Sequence, residues 1–200
     1  PRAFYYDRYT PPGETAPRGG LTAEQSRVMT DAIEVLRREG AVIVDPADIP
    51  SVIHPDPAQN HVAWGLCSGA PDAKATDANC SVTFKYGMKR DFNAWLQSLE
   101  PSAPVKSLTE LRNYNLERPS RGAIKYGQSR LDISDEIDLV SDRARYEADR
   151  AKDTALAGTQ GIDAVMKEQR LDALLFPGAT GAPIASRPGH LSIIVPFGLT

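Results

Sequence analysis

The sequence predicts an α/β fold in which a largely buried mixed sheet is flanked by helices. Three apolar runs predict the strands of this sheet. The first, AVIVD at 41–45, directly follows a predicted helix, and the other two are LDALLFP at 171–177 and LSIIVP at 191–196. Short apolar runs bounded by glycine and proline and rich in β-branched residues are typical of buried strands.

The first predicted helix begins at Thr22 and ends at Gly40. Thr22 and Gln25 form a T-x-x-Q pattern, in which each side chain accepts a hydrogen bond from a backbone N–H that the helix itself leaves unpaired. Apolar residues recur at helical spacing over 28–36, and Gly40 suits the left-handed conformation that ends a helix. The helix, the glycine and the run at 41–45 make one α/β unit.

Four further helices are predicted along the chain. A broad apolar face predicts a helix over 81–99. Ser107 and Glu110 form a second capping pattern, which opens a short helix. Ser134 is predicted to cap a long helix, and residues 161–169 form a short one. Alternation of these helices with apolar runs favours an α/β architecture.

Composition excludes two classes of partner. Lys and Arg number 23 against 26 Asp and Glu, so the formal net charge is −3, and the isoelectric point is about 5.7. Nucleic-acid-binding domains usually have an isoelectric point above about 9. The mean hydropathy is −0.36, and no apolar run approaches the roughly 18 residues of a membrane span. We therefore expect neither a nucleic-acid partner nor a membrane.

The two ends of the chain predict that it is a segment of a longer protein. The chain begins at Pro1 without an initiator Met, and the apolar run at 191–196 lies close to its end. A buried strand needs a neighbour, so the predicted sheet is left unfinished. The alternative is a mature protein whose last strand lies at the edge of a sheet.

Cys67 and Cys80 are the only two cysteines, and they flank a loop of small polar residues. One interpretation is a disulfide that closes the loop and adds about 3 kcal/mol of stability in the chain-entropy account. The other is two unrelated thiols in a cytosolic protein, where disulfides are rare. The pattern favours the disulfide, which implies an exported protein, periplasmic or secreted. Without it, a cytoplasmic protein is expected.

The sequence holds no signature of a catalytic nucleophile, a phosphate-binding loop or a zinc protease. His54, Asp56 and His61 are neighbours in the sequence but lack metal-ligand spacing, so a solvated loop is favoured. An acidic group lies near a predicted helix N-terminus, where the helix dipole accounts for it. Its members are Asp132, Asp135, Glu136, Asp138 and Asp142. We expect no metal and no cofactor.

Eight stretches in order carry a resemblance to a known family. They read PRAFYYDRY, LRREGAVIVD, FKYGMKRDFNAWLQSL, PVKSLTELRNYN, KYGQ, YEADRAKD, GIDAVMKEQRLDALLFPG and GAPIASRPGHLSIIVPFG. As an ordered set they cover essentially the whole chain and resemble the amidase signature family. They are most similar to its branch of peptide amidases and related bacterial amidases. By this resemblance, residues 1–200 are the C-terminal segment of a single larger amidase domain.

The resemblance implies an α/β/α fold around a mixed sheet, and hydrolysis of linear carboxamides without a metal. The family uses a Ser nucleophile, a second Ser on a cis peptide bond and a Lys, with backbone amides of a Gly-Ser-rich loop as the oxyanion hole. In the family these groups lie upstream of the position of Pro1, and no Ser or Lys of this chain has that setting. No catalytic residue is therefore assigned, and the chain alone is expected to be inactive.

Four residues remain as candidates for contact with a substrate. Gln128 can hydrogen-bond a carboxamide, although a solvated or backbone-capping glutamine is the favoured alternative. Gly178, Thr180 and Gly181 lie in a loop at 177–185, where glycines allow close approach of the backbone to a ligand. The alternative for this loop is a tight connection between strands.

The resemblance also implies the partners. They are a small-molecule or peptide-amide substrate and the N-terminal half of the same protein. One alternative is the amidase-like subunit of a glutamine-dependent tRNA amidotransferase, although a Cys67–Cys80 disulfide favours the amidase over that cytosolic complex. The other is a homologue that binds a ligand without catalysis.

Overall fold

The computed structural model describes residues 21–67, 77–118, 121–122 and 124–198. The chain divides into two compact units: unit 1 contains the described residues up to Trp64 and from Lys152 onward, and unit 2 is Gly65–Ala151. The helices are α1 (Ala23–Arg38), α2 (Pro50–Ile53), α3 (Thr83–Ser98), α4 (Leu108–Leu116), α5 (Ser129–Asp135), α6 (Arg143–Thr154), α7 (Asp163–Gln169) and α8 (Ala182–Ser186). A 3₁₀ turn lies at Pro57–Gln59, and a π-helical stretch at Ala155–Ile162 joins α6 to α7.

The predicted α/β fold with a mixed-sheet core is wrong. The structure is 53% helical, and in the ranges that the structure describes the one β-bridge joins Leu66 to Ser81. The runs at 41–45, 171–177 and 191–196 have no regular secondary structure. Their β-branched residues suit a sheet, but a strand is stabilised by cross-strand pairs with a neighbour. These runs have no such neighbour among the described residues.

Helix α1 confirms the predicted cap. The Gln25 N–H donates to Thr22 Oγ1 at 3.1 Å, and the Thr22 N–H donates to Gln25 Oε1 at 3.0 Å. Gly40 has a φ of 93°, a left-handed conformation that favours glycine. Both ends of α1 therefore lie where the sequence predicted them, and α1 buries Ile33.

The core of unit 1 forms around the π-helical stretch. Its buried members are Ala47, Ile49, Val52, Ala157, Ile162, Val165, Ile184 and Ala185. Inside the stretch, Gly161 has a non-helical φ of −115° and ψ of −107°. A Cβ at this position would lie 2.5 Å from the Leu156 carbonyl oxygen and 3.0 Å from Ser51 Oγ, so the turn requires glycine.

Unit 2 is built on α3, which packs against α4 and α5. The Tyr86 ring stacks on the Tyr146 ring with 4.2 Å between centroids, and Tyr86 Oη donates to the Leu139 carbonyl at 2.7 Å. Tyr86 also belongs to a small core with Cys67, Val82 and Ile137.

The two caps predicted in unit 2 have different outcomes. Ser107 accepts from the Glu110 N–H at 3.1 Å, which confirms the start of α4. Ser134 is not a helix cap, because it lies inside α5 and donates from Oγ to the Arg130 carbonyl at 2.7 Å. Serine hydroxyls inside helices often bond the carbonyl four residues earlier in this way. The longer helix, α6, begins only at Arg143.

The segment at 191–198 is apolar and exposed. Leu191 is 98% exposed, and Ile193 is 88% exposed. Two further apolar side chains, Ile194 and Val195, are each 73% exposed. Near the end of the segment Gly198 contacts α1, where a Cβ would lie 3.0 Å from Val28 Cγ1. None of the helices in the described part of the chain is long and apolar enough to cross a bilayer.

Candidate functional site

The disulfide prediction is confirmed. Cys67 and Cys80 are bonded to each other, with 5.1 Å between their Cα atoms. The chain on either side of the bond is paired through its backbone: the Cys67 N–H donates to the Ser81 carbonyl at 2.8 Å, and the Ser81 N–H donates to the Gly65 carbonyl at 2.9 Å. The bond therefore joins two segments that the backbone also holds together.

A buried ion pair lies next to the disulfide. Lys85 on α3 has no exposed surface, and its Nζ lies 2.8 Å from Asp77 Oδ2. The Glu136 carboxylate is 3.7 Å from the same Nζ. A buried ammonium is costly unless it is paired, so these two carboxylates are what allows Lys85 to be buried.

Arg145 fixes the chain between Asp77 and Cys80. Its Nη2 donates to the Asp77 carbonyl and, at 3.3 Å, to the Cys80 carbonyl. Asp149, one turn further along α6, accepts from the Val82 N–H at 3.0 Å and thereby caps α3. Two side chains of α6 thus position the segment that carries both Asp77 and Cys80.

A surface pocket of about 470 Å³ lies between α4 and α5 in unit 2. The residues that line it include Arg112, Leu116, Ile124, Gln128, Asp132 and Asp135. Arg112 donates from Nε to Asp132 at 2.7 Å and from Nη1 to Asp135 at 2.6 Å. The pocket lining has no hydroxyl, thiol or imidazole in the described residues, and its ionisable side chains are three carboxylates and the Arg112 guanidinium.

Neighbouring groups lower the pKa of one carboxyl group in this pocket, that of Asp135. Burial raises the pKa of Asp135, but hydrogen bonds from Thr109 and Arg112 outweigh it, and the pKa lies below its usual range. Lys89 adds a third contact at 3.3 Å from Asp135. The predicted explanation of the acidic group by the helix dipole is therefore incomplete, because Asp132 and Asp135 lie in α5 and pair with Arg112.

The structure places Gln128 in the wall of this pocket, at the start of α5. Its Oε1 accepts from Asn115 Nδ2 at 3.2 Å, and its Nε2 donates to the Arg112 carbonyl at 3.4 Å. Both ends of the carboxamide thus contact α4. A role in substrate binding stays a prediction.

The other three predicted contact residues lie in unit 1. Gly178 has a φ of 56°, and Thr180 Oγ1 donates to the Pro177 carbonyl at 2.7 Å. A Cβ on Gly181 would lie 2.7 Å from Phe176 Cγ, so this glycine makes room for the ring. The last part of the predicted loop is helix α8, because Ile184 is buried in the core.

Unit 1 has a buried charged network of its own. Asp153 is 1% exposed and accepts from Trp64 Nε1 at 2.9 Å and from Arg187 Nη1 at 3.0 Å. Arg187 also donates to the Trp64 carbonyl at 2.8 Å. Lys152 Nζ lies 3.7 Å from the centroid of the Trp64 ring, within cation–π range. Each charge in this network contacts another side chain of unit 1.

His61 is buried close to this network. Burial lowers its pKa to about 4, and the positive charge of Arg187 contributes to the shift. Its Nδ1 is buried and has no hydrogen-bond partner within the described ranges. His54 and Asp56 bond each other instead, because the Asp56 N–H donates to His54 Nδ1 at 3.1 Å. The predicted solvated loop is therefore wrong for His61, which is buried, whereas Asp56 is exposed and His54 is half-buried.

One group of potential metal ligands is present in the described part of the chain. It consists of Cys67, Asp77 and Cys80, whose ligand atoms all lie within 4.8 Å of one another. Sequence reasoning linked the two cysteines but did not include Asp77. The signal available was weak, since Asp77 is one of two aspartates in the loop that they flank.

Comparison with known proteins gives one distant relative. The chain is 25% identical over 199 residues to a protein of Arabidopsis thaliana that is named a probable amidase. The match includes 99% of the chain and 35% of that protein, so the chain spans about a third of the length of the curated relative. No protein-family profile matches the chain. No solved structure matches it either. The relationship is therefore amidase-like without identifying a branch.

Proposed function

We propose that this chain is part of an amidase that hydrolyses linear carboxamides through a Ser–cis-Ser–Lys mechanism. The observation that carries the proposal is the match of 199 residues to a probable amidase. The ordered motifs support the proposal through their resemblance to the amidase signature family, whose mechanism this is. The reacting groups lie upstream of this chain. The part described here contacts the substrate and packs against the part that carries the reacting groups.

The exposed apolar segment supports a partner that covers it. Folded monomers rarely expose contiguous apolar patches of more than a few hundred Å². Leu191, Ile193, Ile194 and Val195 follow one another closely, and each is at least 73% exposed. The chain matches only 35% of its relative. The rest of a protein of that length is large enough to cover the exposed segment. The occupant proposed is the N-terminal half of the same protein.

The test is an activity assay on a protein that carries this chain together with its preceding sequence. A panel of peptide-amide, aryl-amide and aliphatic carboxamides is assayed for release of ammonia or amine. We expect turnover of at least one member by the longer protein and none above background by the 200-residue chain. Turnover by the chain alone, or an intact longer protein that binds but hydrolyses no member, would overturn the proposal. The second result would favour a non-catalytic binding homologue.

The substrate-contact prediction for Gln128 has its own test in the longer protein. Replacement Gln128→Leu is expected to lower kcat/KM while the free energy of unfolding changes little. Gln97 on α3 is exposed and supplies the matched control, Gln97→Leu. If Gln128→Leu lowers stability and leaves kcat/KM unchanged, the residue only links α5 to α4.

An exported location is proposed from the disulfide. Disulfides persist in secreted and periplasmic proteins and are rare in reducing compartments. The same bond disfavours the tRNA amidotransferase subunit, whose complex is cytosolic. Mass spectrometry of protein isolated under alkylating conditions tests this: we expect an unmodified Cys67–Cys80 pair that is two hydrogen atoms lighter than the dithiol. Full alkylation of both thiols in the native source would contradict the location.

A further inference from the structure

We propose that Cys67, Cys80 and Asp77 form a zinc site when the disulfide is reduced. The three ligand atoms already lie within 4.8 Å of one another. Two thiolates and a carboxylate suit Zn²⁺, and three protein ligands leave the fourth tetrahedral position to a water molecule. This inference is independent of the proposed function, because no step of amide hydrolysis uses the site.

Reduction leaves the three ligands in place because other contacts hold their backbones. The segments that carry Cys67 and Cys80 are paired by two backbone hydrogen bonds and by a β-bridge between Leu66 and Ser81. Arg145 donates to the carbonyls of both Asp77 and Cys80. None of these contacts involves sulfur, so loss of the S–S bond does not remove them.

The charges around the site also suit a metal. Zn²⁺ with two thiolates and one carboxylate has a net charge of −1, and the buried Lys85 ammonium balances it. The 2.8 Å contact from Lys85 Nζ to Asp77 Oδ2 would then orient a metal-ligating carboxylate. Hydrogen bonds that orient a metal-ligating group in this way are a regular feature of protein metal sites. In the oxidised state Lys85 pairs with Asp77 at 2.8 Å and with Glu136 at 3.7 Å.

The conversion from disulfide to zinc site has two steps. A phosphine reductant and one water molecule break the S–S bond, which gives two thiols and a phosphine oxide. Binding of Zn²⁺ then displaces both thiol protons to solvent, because only the thiolate is a strong ligand. The disulfide and the zinc site are therefore mutually exclusive.

The experiment compares the oxidised chain with the same chain reduced by phosphine and repurified without oxygen. Co²⁺ is added as a spectroscopic probe. The reduced chain is expected to bind one Co²⁺ with a thiolate-to-cobalt charge-transfer band, which excess Zn²⁺ removes. X-ray absorption on the zinc form is expected to show two sulfur ligands at about 2.3 Å and two lighter ligands. The oxidised chain is expected to show neither signal.

Variants assign the ligands. Cys67→Ser and Cys80→Ser are each expected to lose the charge-transfer band. The pair Asp77→Asn with Lys85→Met removes the carboxylate without leaving a buried charge, and we expect the zinc affinity to fall by at least about 10-fold. Asp91→Asn, at an exposed aspartate, is the matched control and is expected to bind normally.

Three results would overturn the site. The first is a reduced, helical chain that shows no charge-transfer band. The second is zinc affinity that the paired variant leaves unchanged, which would mean that the thiols bind metal without Asp77. The third is loss of helical circular dichroism on reduction that zinc does not restore.

Discussion

Lys85 Nζ lies 2.8 Å from Asp77 Oδ2, and the two side chains are 0% and 4% exposed. Removing one partner of such a buried pair leaves the other charge without compensation, which usually costs about 3–5 kcal/mol. We therefore expect Lys85→Met to lower the free energy of unfolding by about that amount in urea titrations.

Two control variants separate the effect of burying the ion pair from the effect of its charges on the free energy of unfolding. Arg143→Ala breaks an exposed pair with Glu147 and is expected to cost less than about 1 kcal/mol. The double variant Lys85→Met with Asp77→Leu removes both charges and is expected to recover much of the lost stability. A Lys85→Met protein as stable as the wild type would show that the pair contributes nothing.

His61 makes stability depend on pH. Its pKa in the folded chain is about 4, and its usual value is about 6.5. The unfolded chain therefore binds more protons between these values, so stability is complete above pH 6.5 and falls as the pH drops towards 4. The loss attributable to His61 is about 3 kcal/mol.

The measurement is the free energy of unfolding in urea at several pH values from 7.5 to about 4.5. His61→Phe removes the titrating group, and its stability is expected to fall less steeply over this range. His190→Gln is the matched control, because His190 is partly exposed and lies 3.0 Å from Asp163. Equal slopes for His61→Phe and the wild type would rule out His61 as the cause.

Gly161→Ala tests the tight turn in the π-helical stretch. The added Cβ would lie 2.5 Å from the Leu156 carbonyl oxygen, and overpacking of this kind costs about 1–3 kcal/mol. Gly65→Ala has no atom within 4 Å of its Cβ and is expected to stay within about 0.5 kcal/mol of the wild type. The measurement is the melting temperature of both variants. Equal melting temperatures would contradict the close approach of the added Cβ to the Leu156 carbonyl oxygen.

Ile193→Lys tests the proposal that the N-terminal half of the same protein packs over the exposed segment at 191–198. In the 200-residue chain Ile193 is 88% exposed, so the change is expected to alter stability by no more than about 0.5 kcal/mol. In the longer protein the same lysine would have to be buried, and we expect a loss of carboxamide turnover and a lower melting temperature. Val140→Lys, at a site 87% exposed in unit 2, serves as the control. Full activity and stability of the longer Ile193→Lys protein would show that nothing covers this segment.

Local features of the fold could be predicted from the sequence, and long-range ones could not. The cap made by Thr22 and Gln25 needs only residues three apart, and the structure has it. The disulfide could be predicted because the chain has no other cysteine to choose. The run at 191–196 was wrongly predicted as a strand. A strand is stabilised by pairing with a neighbouring strand, and the local pattern of apolar residues does not indicate whether a neighbour is present.

The candidate sites show the same division. Gln128 could be named as a polar residue in a loop, but its bonds to Asn115 and the Arg112 carbonyl depend on how α4 and α5 pack. Lys85 lies in an amphipathic helix where a lysine is normally exposed. Its complete burial depends on Asp77 and Glu136, which approach from outside that helix, so no periodicity in the sequence indicates it.

The contact between Lys152 and the Trp64 ring has a topological consequence. Trp64 is the last residue of unit 1 before the chain enters unit 2, and Lys152 is the first residue after it returns. Because the two side chains touch, the chain leaves and re-enters unit 1 at one place. Residues 65–151 therefore begin and end at neighbouring points of unit 1, which is made of two separate stretches of the chain. A change in the length of this stretch would leave the two points where it joins unit 1 side by side, provided that α6, which runs through the second of them, is kept whole.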